Sequence, residues 1–170
     1  IVDTIPNIDH RHGDGRAEVI GITVLNTTGQ ALPLLEPESR IVVRISVRAK
    51  EAIVEPVVGF MLRNHLGIDF AGFNTAREGV ELPPMNPQDV YTVDFHIDLP
   101  GLYPGSFSFS PAIADGTLVS YRTCDWIDNA VTLQMGHSDG EVYGYMRMPC
   151  RVTLNHRLQS PALETETKVG

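Results

Sequence analysis

IVVRISVRA, residues 41–49, alternates without a break: Ile41, Val43, Ile45, Val47 and Ala49 share one parity, and Arg44, Ser46 and Arg48 share the other. Side chains of an extended strand point to opposite faces in turn, so this stretch reads as a half-buried strand with one apolar and one polar face. YTVDFHID, residues 91–98, repeats the pattern, with Tyr91, Val93, Phe95 and Ile97 against Thr92, Asp94, His96 and Asp98. Residues 18–25, 54–62, 68–75, 102–109, 126–135 and 151–155 read as strands with less regular alternation. Gly, Pro and Asn clusters at 26–29, 82–87, 99–101 and 115–116 punctuate them as turns. No long segment carries a 3.6-residue apolar period, and the one helical candidate is a short segment near Gly79. Many short strands with frequent turns predict an all-β fold, a two-sheet antiparallel β-sandwich of the immunoglobulin-like or jelly-roll-like kind.

Working outward, GFMLRNHLGIDFAGFNT at residues 59–75 reads as a hairpin whose arms meet at the turn Asn64-His65-Leu66-Gly67. Its second arm ends in Gly72-Phe73-Asn74-Thr75, where an aromatic ring, an amide and a hydroxyl are expected at a rim. The chain reads as one domain over residues 1–170, with a loop-like segment at 1–15, a polar tail at 159–170 and no internal repeat. A late strand within 144–157 follows GHSDGEVYG at 136–144, and its Val152 and Leu154 share a parity. Such a strand can pair with its own sheet or with the same sheet of a second copy.

At 170 residues the chain is the length of one ordinary domain, and 42% hydrophobic with 20% charged residues is a globular composition. No apolar run approaches 18 residues. Thirteen Lys and Arg against 21 Asp and Glu leave a net charge of −8, which disfavours nucleic acid and anionic membrane surfaces as partners. Cys124 and Cys150 are too few for a disulfide framework and read as reduced thiols. The chain opens Ile1-Val2-Asp3 without an initiator Met and reads as a piece of a longer protein.

His10-Arg11-His12-Gly13-Asp14 offers two imidazoles and a carboxylate, but no HExxH or CxxC pair supplies further ligands, and a solvated loop is the simpler reading. No GxSxG elbow is present, and Ser106, Ser108 and Ser110 alternate as surface serines do. Asp94, Asp98, Asp115, Asp125 and Asp128 could supply a glycosidase pair, although sequence does not give the separation such a pair requires. Trp126 is more informative. The parity of Ile127, Val131, Leu133 and Met135 puts it on the opposite, polar face with Asp128, Thr132 and Gln134, where an indole can stack on a sugar ring. The competing reading makes Asn129 a bulge that changes the facing, so that Trp126 closes one end of the core; this is the default for a lone indole. Thr92, Asp94 and His96, Ser106 and Ser108, and Thr132 and Gln134 would form a shallow hydrogen-bonding surface if their strands shared one sheet. The candidate ligand site is the sheet bearing Trp126, with Tyr121, Arg122, His96 and Asn74 nearby.

HGDGRAEVIGITVLNTTGQ (12–30), VVGFMLRNHLGIDFAGFNT (57–75) and DLPGLYPGSFSF (98–109) together resemble the C-terminal domain of Wzt-type proteins, the ATPase subunits of ABC transporters that export O-antigen polysaccharide. The likeness spans residues 12–135, and G-F-x-x-R-N-x-x-G-x-x-x-x-G-x-N-T is its most specific piece. The resemblance implies a β-sandwich fused behind an ATPase domain of the same chain, in the bacterial cytoplasm at the inner face of the inner membrane. It implies recognition of the capped non-reducing end of the O-polysaccharide glycan, with no catalysis and no cofactor, coupled to the transporter's membrane subunit indirectly. The absence of a GxxxxGK[ST] P-loop agrees with a detached recognition module. Wzt-type proteins work as pairs, so the resemblance favours a homodimer that exchanges the late strand. The binding surface varies with the glycan in this family, so no ligand residues carry over. Two other readings stand beside this one, an extracellular sugar-binding or adhesive sandwich and a glycosidase-like enzyme.

Overall fold

The computed structural model describes residues 1–137 and 142–155, and these contain eleven β-strands and no helix. In chain order they are β1 (His10–His12), β2 (Ala17–Leu25), β3 (Arg40–Ala49), β4 (Pro56–Arg63), β5 (Asp69–Asn74) and β6 (Val90–Asp98). Then follow β7 (Gly101–Leu102), β8 (Ser106–Gly116), β9 (Tyr121–Asp128), β10 (Val131–Gln134) and β11 (Met146–Arg147). A large antiparallel sheet runs β1-β9-β8-β4-β5, with β10 also on β8, and a smaller one runs β2-β3-β6; β7 and β11 form a separate ribbon. The two-sheet sandwich expected from the alternation is the observed architecture.

The two clean alternations seat the small sheet on the core. Ile41, Val43, Ile45 and Val47 of β3 are buried, as are Phe95 and Ile97 of β6, and they meet Val58, Phe60 and Leu62 of β4 and Phe109 and Ile113 of β8. Phe60 is the hub, its ring centroid 5.0 Å from Phe73, 5.3 Å from Phe95 and 5.8 Å from Phe109. The irregular strand β2 owes its broken pattern to a bulge between Val19 and Gly21, which shifts the buried parity from Ala17 and Val19 to Ile22 and Val24.

Several expectations are corrected. The segment 1–15 is loop except for β1, which the loop-like expectation did not include and which pairs with β9; the loop is tied down where the Ile22 N–H donates to the Thr4 carbonyl. Val2 lies over Gly21, where a Cβ would collide with the Val2 carbonyl, and its N–H donates to the buried Ser46 hydroxyl at 2.9 Å. Residues 75–79 are turns, not a helix, capped by the Asn74 carboxamide oxygen, which accepts the Arg77 N–H at 2.7 Å. Asp115 and Gly116 belong to β8, and the turn falls at 117–120. The strand expected over 126–135 starts at Tyr121 and is broken at Asn129, where φ is 54°. Residues 102–109 split into β7 and β8. Residues 151–155 form no strand and are exposed; the late pairing is instead that of Met146 and Arg147 with Leu102 and Gly101. The polar tail at 159–170 lies outside the described residues.

Candidate functional site

The outer face of the large sheet carries a groove of about 870 Å³. Its floor follows from side-chain size. On β4 the outward parity is Val57, Gly59 and Met61, and on β8 it is Ala112 and Ala114, between inward Val58, Phe60, Phe109 and Ile113. Register then sets these small residues in a row. Asn74 of β5 pairs with Gly59, Gly59 with Ala112, Ala112 with Trp126 of β9, and Trp126 with His12 of β1. Five strands thus carry one transverse line that is tall at both ends and low in the middle. At the spacing of adjacent strands, Asn74 and Trp126 stand roughly 14 Å apart. Glycine at 59 is a requirement of close approach, since a Cβ there would press on the Phe73 carbonyl and stand 2.7 Å from Asn74 Cβ.

Trp126 forms one wall. It is half-buried on the outer face, and its Nε1–H donates to Asp128 Oδ1 at 2.8 Å. The His12 ring stacks beside it at 6.0 Å and 24°. The default core reading of Trp126 is therefore overturned. Asn129 does interrupt the strand, but Ile127 before it and Val131 after it both face the core, so the parity survives. Asn74 and Arg77 line the opposite wall, and Thr117, Leu118, Tyr121 and Thr123 close the groove at the β8–β9 hairpin. The exposed Tyr121 hydroxyl and the Asn74 amide nitrogen have no hydrogen-bond partner among the described residues.

Of the residues expected around Trp126, Asn74 and Tyr121 line the groove with it. Arg122 does not; it pairs with Asp115 on the opposite parity to Tyr121 and Thr123. His96 lies on β6 of the small sheet and lines a different cleft, with Asp94 and Phe95. The shared hydrogen-bonding surface also divides. Ser106, Ser108, Thr132 and Gln134 lie together, bonded to one another at 3.2 and 2.8 Å, whereas Thr92, Asp94 and His96 occupy the other sheet. Arg77 and the Gly/Ala floor escaped the sequence reading, and His12 entered it only as a metal-ligand candidate. The signal for the floor was present in Gly59 and in the alternation of Ala112 and Ala114 about Ile113.

Beneath the Trp126 wall, charges lock β1 and the hairpin in place. Buried Asp125 accepts from Arg11 Nε at 3.0 Å, Arg11 NH2 at 2.7 Å and the Val19 N–H at 2.7 Å. The hydrogen bond to Asp125 raises the Arg11 pKa. Arg16 bridges Asp14 and Asp115, each at 2.9 Å. Burial opposes ionisation of Asp115, but the Glu55 N–H and Arg16 hold its carboxyl below the ordinary value. Cys124 is buried beneath them, and that burial pushes its thiol up to about 11.

The carboxylates considered for glycoside hydrolysis are scattered over both sheets: Asp94 pairs with Arg44, Asp98 with Arg40, Asp115 with Arg16 and Asp125 with Arg11. Asp128 accepts the indole N–H. His10 and His12 project to one side with ring centroids 5.4 Å apart, and among the described residues no three metal-ligating side chains converge.

The two antiparallel sheets packed face to face, with a groove across the larger, define an all-β sandwich domain. The chain belongs to the Wzt C-terminal domain family, whose model matches residues 9–148. The family is one of non-catalytic carbohydrate-binding domains associated with O-antigen ABC transporters. A solved structure described as the crystal structure of the C-terminal domain of Wzt shares the fold at a TM-score of 0.80 and 20% identity, with 91% of this chain and 96% of that one covered. No curated protein matches the chain.

Proposed function

We propose that this domain binds the capped non-reducing end of an O-antigen polysaccharide in the Trp126 groove and so couples completion of the glycan to export. One observation carries the reading: the transverse row Asn74, Gly59, Ala112, Trp126 and His12, low at its centre and walled by an amide on one side and an indole on the other. An indole stacks on the C–H face of a pyranose while amide and hydroxyl groups bond its hydroxyls. The parent protein carries an ATPase domain in the same chain and works in the cytoplasm at the inner membrane. Titration of the domain with its cognate capped polysaccharide should give saturable binding without released sugar. Equal binding to the uncapped polymer would refute recognition of the terminus.

The working unit is a homodimer in which the late segment that holds residues 151–155 is exchanged between copies. Two features favour this. The outer edges of β5 and β6 are unpaired among the described residues, with an apolar cleft of about 690 Å³ between them, lined by Phe70, Phe73, Phe95 and Met146. Val152 and Leu154 are 88% and 79% exposed, so their apolar parity has no core of its own.

A further inference from the structure

We infer that the sugar seated in the groove is a 6-deoxyhexose, its methyl group turned onto the floor; this rests on the glycan-binding reading above. The floor has no group to receive a hydroxyl. Val57, Gly59, Met61, Ala112 and Ala114 bring no hydrogen-bonding side chain, and β4 and β8 are inner strands with ladder partners on both sides. A hydroxymethyl group placed there loses its bonds to water and finds none in return. A methyl group meets Cβ atoms, the Met61 side chain and the edge of the indole. The polar groups lie at the sides: Asn74 and Arg77 on one wall, Thr123 and Tyr121 by the other. A pyranose stacked on Trp126 with its C5 substituent turned onto the floor directs its ring hydroxyls toward Thr123 and Tyr121.

Glu78 lies beyond this groove in the β5–β6 cleft and Asp128 lies behind the indole, outside the lining, so Arg77 is the one formally charged residue that lines the groove. A single exposed arginine beside an otherwise neutral lining suits a neutral sugar's hydroxyls, and the floor makes the choice among neutral sugars.

Trp126 is the only tryptophan of the chain, so its fluorescence reports the site directly. The intact domain is titrated with methyl glycosides of L-rhamnose against L-mannose and of L-fucose against L-galactose, and with rhamnose-containing polysaccharide against a hexose homopolymer. We expect the 6-deoxy member to bind about 10- to 100-fold more tightly, the discrimination an apolar pocket exerts on one added polar group. Ala112→Ser adds a hydroxyl at the centre of the floor and should narrow that ratio several-fold with the thermal midpoint unchanged; Ala114→Ser serves as the second variant. Equal affinities, a preference for the hexose or a ratio unmoved in both variants overturns the inference. Binding of the hexose polymer alone overturns it while leaving glycan recognition standing, and binding of no saccharide overturns both.

Discussion

Trp126 is held from two directions, by the carboxylate of Asp128 at its nitrogen and by the imidazole of His12 at its side. Neither contact reaches the core, so removing the indole should cost binding far more than stability. Trp126→Ala is expected to abolish glycan binding, with a thermal midpoint within a few degrees of the parent. A collapse of the midpoint, the mark of losing about 3–5 kcal/mol of core packing, would contradict the surface placement. Sequence parity alone places Trp126 correctly, because Ile127 and Val131 stay on the same side of the Asn129 break. Arg122 is misplaced for a related reason. A register shift between Ile113 and Ala114 sets Trp126 opposite Ala112 but Thr123 opposite Ala114, and no residue pattern in 121–128 announces it.

The elements most legible from the sequence are those whose partners agree with their own period, above all β3 and β6. Those least legible take their form from contacts elsewhere. β1 reads His-Arg-His, has no apolar side chain and is exposed throughout; it is a strand because β9 offers an edge and Asp125 a buried carboxylate for Arg11. The same dependence governs the far ends of β8 and β2, which Arg16 joins through Asp115. The folded state depresses the Asp115 pKa, so its contribution is present above the ordinary carboxylate value near 3.8 and is lost as pH falls through the lower folded value. Asp115→Asn should therefore destabilise the domain by about 1–3 kcal/mol at pH 7, since hydrogen bonds from Arg16 and the Glu55 N–H lose their charged acceptor. The gap between variant and parent should narrow as pH falls below 3.8, measured by urea unfolding across the range. A constant difference from pH 7 to pH 2 would remove Asp115 ionisation as its source.

At the scale of the molecule, periodicity foretold two sheets but not which strands share one. His96 and Trp126 each sit on a polar face, and only the pairing β2-β3-β6 against β1-β9-β8-β4-β5 shows that those faces look in opposite directions. The outer face of the small sheet carries its own paired charges, with Arg44 on Asp94 and Arg40 on Asp98. The open side of the sandwich lies between β5 and β6, which makes assembly the remaining question for the whole chain. Deleting residues from Gly144 onward should convert a dimer into a monomer by light scattering, and an intact dimer after the deletion rules out exchange. In the row of Asn74, Gly59, Ala112, Trp126 and His12, each floor residue alternates along its strand with a core residue of the opposite parity. The residues that face the groove and those that face the core therefore occupy different letters of the same strand. On the proposed reading, Val57, Met61, Ala112, Ala114 and Thr123 can be exchanged a methyl or a hydroxyl at a time to fit a different sugar, while Val58, Phe60, Phe109 and Ile113 go on specifying an unchanged sandwich. Gly59 alone is bound to both.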